Sequence, residues 1–168
     1  STYQTPSPGT PRSFPPQHQD RQPGRQDRMQ PQPIVDNPRY AGSGKLSGRA
    51  AIITGGDSGI GQAVAIAFAK EGADIAVCYL NETEDAQQTK RMVEGLQRRC
   101  LLIPCDLKSE QAAMDAVEKT RQAFSRVDVL VNNAAVQYPQ NSLEDITSEQ
   151  LGITFSTNVM SYFFMAKA

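Results

Sequence analysis

Thr54 to Gly61 reads TGGDSGIG, a glycine cluster between an apolar run and a segment of helical periodicity. Gly55, Gly59 and Gly61 suit a turn that needs positive backbone torsions, close approach of a pyrophosphate, and tight packing of the next helix on the preceding strand. The first N–H groups of that helix, with its dipole, would favour the phosphates. Thr54, Gly55, Asp57, Ser58, Gly59, Ile60 and Gly61 are therefore a candidate dinucleotide cradle. Lacking a Gly-Lys-Ser/Thr ending, the stretch does not read as a nucleotide-triphosphate loop. Three further residues invite chemistry. Asn158 is an amide in an apolar helical stretch, where it lowers helix propensity and needs partners if buried. Tyr162 and Lys167 lie on the same stretch, but five residues is about 140° around a helix, so their side chains diverge.

The elements that must position these residues follow from periodicity. AAIIT (Ala50 to Thr54) predicts a strand before the glycine turn, and IGQAVAIAFAKEG predicts a helix after it, stopped at Gly72. DIAVCY (Asp74 to Tyr79) predicts a second strand, with a polar helix from Thr83 to Arg98. CLLIPCD predicts a third strand, and a helix follows Ser109 through Phe124. VDVLVNNAA contains a fourth strand, Asp128 to Asn132. The last helix opens at a capping-box pair, Thr147 and Gln150, and runs to the chain end. Strands alternating with helices at about 30 residues per unit specify an α/β fold: a Rossmann-type, doubly wound parallel sheet with right-handed crossovers. With four strands the expected order is 3-2-1-4. The ligand crevice then lies beyond the carboxyl ends of strands 1 and 4, where the strand order reverses.

Residues 1–44 carry nine of the eleven prolines and the only histidine, with no apolar period. That composition predicts a flexible Pro/Gln-rich tail, leaving residues 45–168 as the folded domain. A net charge of -1, with the signs mixed, supplies no basic footprint for nucleic acid. No eighteen-residue apolar run and no signal pattern occur, so the expectation is a cytoplasmic protein without a membrane partner. Cys78, Cys100 and Cys105 fall in or beside strand-like runs and lack metal-ligand spacing, which suits reduced, mostly buried thiols and no metal site.

Four motifs, in this order and spacing, resemble the short-chain dehydrogenase/reductase family: Thr-Gly-x-x-x-Gly-x-Gly at Thr54 to Gly61, Asp106-Leu107 after strand 3, NNAA at Asn132 to Ala135 after strand 4, and Asn158. GSGKLSG, GGDSGIG, NNAAVQYPQNSLEDIT and the Tyr79-Leu80 strand end are similar to its glucose and ribitol dehydrogenase-like subgroup. The resemblance implies an NAD(P)-dependent oxidoreductase moving hydride between a nicotinamide cofactor and an alcohol or carbonyl of a sugar, polyol or other small molecule. It implies that Thr54 orients the glycine turn, and that Asp106 and the Leu107 N–H read the adenine. Asn132 would tie strand 4 to its neighbours, while Asn133, Ala134 and Ala135 lie against the adenosine. Ala135 stands where the family usually has glycine. Asn158 would distort its helix and hold a water in a proton relay, making it the one catalytic candidate present.

Tyr79-Leu80-Asn81 at the end of strand 2 supplies neither the acid that holds both ribose hydroxyls of NAD nor the base that holds the 2'-phosphate of NADP. Asp57 could repel a phosphate, which leans the expectation to NAD. The family's catalytic serine and Tyr-x-x-x-Lys pair follow a fifth strand, which this sequence does not contain. Tyr162 and Lys167 then read as packing residues, and the chain as a fragment that alone would be inactive. At full length the resemblance implies a homotetramer or homodimer. The alternative is an inactive dinucleotide-binding or interaction module.

Overall fold

The computed structural model describes residues 16, 17, 19 and 26–168, and the expectation of a flexible tail falls largely on residues outside that set. The chain divides into a unit ending at Pro33 and a unit running Ile34–Ala168. In the first, Gln26–Arg28 forms a single 3-10 turn, and the Gln17 side chain exchanges two hydrogen bonds of 2.7 Å with the Gln30 backbone.

The second unit is built on β1 (Ala50–Thr54), α1 (Gly59–Lys70), β2 (Asp74–Tyr79), α2 (Thr83–Gly95), β3 (Cys100–Pro104), α3 (Glu110–Phe124) and β4 (Val129–Val131). The strands form one parallel sheet in the order β3-β2-β1-β4, as the alternation of elements requires. β1 and β2 are buried at every position, which is why each reads as a continuous apolar run rather than an alternating one. Their side chains nonetheless alternate between two cores. Ala51, Ile53, Ile75 and Val77 face α1 and α2, packing on Ala65, Ala69, Ala86 and Val93. Ile52, Ala76, Cys78 and Ile103 face the other way, onto Ala113, Ala116 and Phe124 of α3 and Met165 near the chain end. Alanines on both helix faces let the helices sit close to the sheet.

The element ends have local causes. Ser109 caps α3 through its hydroxyl, which accepts from the Ala112 N–H, and Ser125 closes that helix in the left-handed region. The register Ile53↔Val77 and Ile53↔Val131 puts the carboxyl ends of β1, β2 and β4 at one edge of the sheet. Asp128 anchors the opposite end, accepting from the Ala50 N–H at 2.9 Å and from Arg49 at 2.9 Å. Its hydrogen bond from Arg126, more than any other contact, holds its carboxyl well below the usual carboxylate range. The three thiols are free, Cys78 and Cys100 buried and Cys105 half-buried; burial pushes Cys100 up to about 12.

The Ile34–Ala168 unit takes in residues that the sequence reading leaves in the tail. Lys70 at the end of α1 donates to Asp36 at 2.5 Å and to the Asn37 carbonyl at 2.8 Å. The neighbouring Glu71 carboxylate accepts from the Tyr40 hydroxyl and from the backbone N–H groups of Ser43 and Lys45 at 3.0 Å each. These contacts, the Tyr40 bond foremost and against an opposing push from burial, bring Glu71 down to about 2.

After β4 the chain crosses a loop containing a 3-10 turn, Leu143–Asp145, into α4 (Ser148–Phe155). The expected capping box is present, with Thr147 Oγ1 accepting from Gln150 N–H and Gln150 Oε1 from Thr147 N–H, both at 3.1 Å. The helix does not run unbroken to the end. Ser156–Met160 is a π-helical turn, and α5 (Ser161–Lys167) resumes beyond it.

Candidate functional site

Two side chains tie the end of β1 to the loop after β4. Thr54, the last residue of β1, is 1 % exposed. Its Oγ1 accepts from the Asn133 N–H at 2.9 Å and the Ala134 N–H at 3.0 Å, and donates to the Val131 carbonyl at 3.4 Å. Asn133 returns the tie: its Nδ2 donates to the carbonyls of Thr54 and Gly55, at 3.0 Å each. The end of β4 is thereby stitched onto the start of the glycine turn. The family resemblance implies that Asn132 ties β4 to its neighbours. In the structure the bonds from the end of β4 to β1 come from Asn133, because the two side chains alternate in direction past the strand end, and Asn132 Nδ2 reaches the Tyr162 carbonyl at 3.3 Å.

Two glycines of the turn are fixed by geometry. Gly55 holds φ +61, and Gly61 has no room for a side chain, since a Cβ there would lie 2.0 Å from the Gly55 carbonyl oxygen. At Gly59 a Cβ would meet nothing within 4 Å, so the turn's outer surface is open beside its backbone. Open space over a glycine backbone at the start of α1 is what a diphosphate needs to approach it, and the residues present therefore fit a dinucleotide. Ile60 stands exposed at the mouth. Asp57 points inward: burial raises its carboxyl above the usual range, and the Ser58 hydroxyl donates to it at 3.3 Å.

The remaining predicted residues surround that edge. Tyr79, at the end of β2, is buried, while Leu80 is exposed. Asp106 is exposed beyond β3 and folds back on its own loop, accepting from the Lys108 N–H at 3.1 Å and pairing with the Lys108 ammonium at 3.2 Å; Leu107 beside it is buried. Ala134 is half-buried and Ala135 exposed at the end of the β4 loop.

Asn158 sits within the π-turn. Its Nδ2 donates to the Val136 carbonyl at 2.8 Å while its Oδ1 accepts from the Val136 N–H at 2.9 Å. The carboxamide therefore occupies both backbone groups of one residue in the loop after β4. Tyr162 and Lys167 part company as their spacing predicts: Lys167 Nζ bonds Glu110 Oε1 on α3 at 2.6 Å, and burial raises the Tyr162 phenol.

One buried polar group escaped sequence reasoning. Thr89 on α2, fully buried, donates its hydroxyl to the Asp57 carbonyl at 2.9 Å and accepts from Gln62 Nε2 at 2.9 Å. The available signal was its position, since Ala86, Thr89 and Val93 fall on one face of α2, and a threonine there is a polar residue on the buried stripe. Among the described residues, no cluster of His, Cys, Asp and Glu could hold a metal ion, and no helix is long and apolar enough to cross a membrane.

Residues 49–168 match the family model for short chain dehydrogenase. The chain belongs to that family. It is 55 % identical over 152 residues to an uncharacterised oxidoreductase, YhdF, of Bacillus subtilis (strain 168), covering 90 % of this chain and 53 % of that protein. It is 41 % identical over 160 residues to the glucose and ribitol dehydrogenase of Daucus carota, covering 92 % of this chain and 55 % of that one. A short chain dehydrogenase from Burkholderia cenocepacia J2315, solved in complex with NADP, superposes with a TM-score of 0.69 at 36 % identity, over 73 % of this chain and 49 % of that one. This short-chain dehydrogenase chain thus resembles the glucose and ribitol dehydrogenase group, and it spans about half the length of the relatives it matches.

Proposed function

We propose that this chain supplies the dinucleotide-binding part of an NAD(P)-dependent oxidoreductase that acts on an alcohol or carbonyl of a sugar, polyol or other small molecule in the cytoplasm. The observation that carries the reading is the glycine turn bound to the end of β4 through Thr54 and Asn133, with open space over Gly59. The backbone of Ser58 to Gly61, at the start of α1, would hold the pyrophosphate. Tyr79, Leu80, Asp106 and Leu107 would enclose the adenosine, and Asn133 to Ala135 would lie against it. When bound, the nicotinamide ring supplies or takes the hydride. Asn158 is the residue of this chain assigned to proton handling, through a water held at its distorted helical turn.

Two cofactor readings each have support. Asp57, buried in the turn, and the absence of Arg or Lys at Tyr79 to Asn81 favour the unphosphorylated ribose of NAD. The Burkholderia relative, solved with NADP, favours the phosphorylated one. Fluorescence titration of the chain with NADH and with NADPH decides: tighter NADH supports the first reading, tighter NADPH the second, and binding of neither overturns the function. Leu151, Phe155, Val159 and Phe163 recur every four residues along the last helices, each more than half exposed. They suit burial against a second subunit in a homodimer or homotetramer. Sedimentation of Phe155→Lys and Phe163→Lys as smaller species than the wild type would bear this out; unchanged sedimentation would refute it.

A further inference from the structure

The turn between β1 and α1 is held from inside by bonds to its carbonyls. Asn133 Nδ2 takes the Gly55 carbonyl at 3.0 Å, Thr89 Oγ1 takes the Asp57 carbonyl at 2.9 Å, and the Gln62 N–H takes the Ser58 carbonyl at 3.1 Å. The first comes from the loop after β4, the last from α1 itself, and the middle one from α2. The Asp57–Ser58 peptide is trans, so its C=O and N–H point in opposite directions. A carbonyl fixed toward α2 therefore fixes the Ser58 N–H pointing away from α2. A threonine hydroxyl has one proton to give. Since Thr89 gives it to Asp57, its lone pair must take the Gln62 amide proton, and the 2.9 Å bond from Gln62 Nε2 does so. The residues are buried, with Thr89 0 %, Gln62 2 % and Asp57 7 % exposed. Once the hydroxyl is removed, nothing from solvent can replace it.

We propose that Thr89, held in its rotamer by Gln62, is a positioning residue for the dinucleotide: by fixing the Asp57–Ser58 peptide it aims the Ser58 N–H at the phosphate oxygens of the cofactor. The inference rests on the dinucleotide reading above. It touches only the phosphate-proximal turn and leaves the adenine edge, formed after β2 and β3, untouched. A merely structural threonine would weaken every ligand alike.

The test compares the wild-type chain with Thr89→Val, which keeps the shape and deletes the hydroxyl, and Thr89→Ser, which keeps the hydroxyl. NADH, NADPH and adenosine are titrated on each, and the Ser58 amide resonance is followed without ligand. Thr89→Val is expected to bind the preferred dinucleotide about tenfold more weakly, to bind adenosine like the wild type, and to shift the Ser58 amide, with Thr89→Ser restoring all three. Equal losses for adenosine and dinucleotide, unchanged dinucleotide affinity, or an unmoved Ser58 amide would overturn it. If Thr89→Val does not fold, Gln62→Met serves: it leaves the bond to Asp57 but releases the hydroxyl rotor, and dinucleotide binding equal to wild type would refute the role. A wild-type chain that binds neither dinucleotide removes the proposed function and this inference with it. A wild type that binds, beside a Thr89→Val that binds equally well, removes this inference alone.

Discussion

Replacing Thr54 by valine tests whether one hydroxyl holds β1 and the edge strand β4 in working register. The change is close to isosteric and sits at a site 1 % exposed, so packing is conserved and water cannot substitute. Two backbone donors, the N–H groups of Asn133 and Ala134, lose acceptors at 2.9 and 3.0 Å, and the Val131 carbonyl loses a donor at 3.4 Å. Leaving a buried donor unpaired costs about 1–3 kcal/mol. The Val131 bond is long and adds little, and Asn133 and Ala134 are half-buried, which places both donors toward the lower end. The expected loss is about 2–4 kcal/mol. With a urea slope of about 1.5 kcal/mol/M, a loss near the middle of that range moves the unfolding midpoint down by about 2 M. Thr54→Ser, which keeps the oxygen, should hold most of the stability. Equilibrium urea unfolding of the three chains is the assay. A Thr54→Val midpoint within about 0.3 M of wild type would refute the claim that the hydroxyl ties β1 to β4.

Gly61→Ala drives a Cβ to 2.0 Å from a backbone oxygen, which no rotamer relieves; the turn must open, and dinucleotide affinity measured by fluorescence should fall by more than about tenfold. Glu71 has a carboxyl held at about 2 against an ordinary 4.5, so the folded form is the stronger acid. Its stabilising contribution is complete above the unfolded pKa and disappears as pH falls toward 2. Thermal melts between pH 6 and pH 2 should therefore fall less steeply for Glu71→Gln than for wild type, and parallel curves would show that the Tyr40–Lys45 segment does not depend on this charge. Asn158→Ala strips partners from both backbone groups of Val136 and should cost about 1–3 kcal/mol in urea unfolding, with Asn158→Asp also destabilised because a carboxylate cannot donate to the Val136 carbonyl.

Much of the architecture was legible because the strong signals were local. AAIIT and DIAVCY are fully buried, so apolar run and strand coincide to the residue. The Thr147–Gln150 box announced its helix by capping chemistry that acts over three residues. The fourth strand, Val129–Val131, is shorter than the expected Asp128 to Asn132, because Asp128 turns its carboxylate back to Ala50 and Asn132 turns to α5. What stayed hidden depends on long-range partners. Nothing in PRYAGSGK says that Tyr40 and Ser43 will meet Glu71, some thirty residues on, or that a threonine in a polar helix will bind the glycine turn. The candidate site was likewise legible in its glycines, whose requirement is steric and local. The division of labour between Asn132 and Asn133 was not, since it depends on which of two adjacent side chains faces β1 once the strand has ended.

The π-turn at Ser156–Met160 also depends on a long-range partner. A helix that adopts i→i+5 bonding gives up regular geometry and needs a compensating contact. Here the contact is Asn158, whose carboxamide donates and accepts against one residue, Val136, in the way a neighbouring strand would. β4 lies at the edge of the sheet and ends at Val131. Asn158 therefore extends strand-like pairing five residues beyond the last ladder position, and it does so from a helix. The loop carrying Asn133, Ala134 and Ala135 is consequently pinned twice, to β1 through Thr54 at one end and to the π-turn through Asn158 at the other. A loop fixed at both ends presents its backbone to a ligand without further ordering, and the distortion of the helix is the structural cost of fixing the second end.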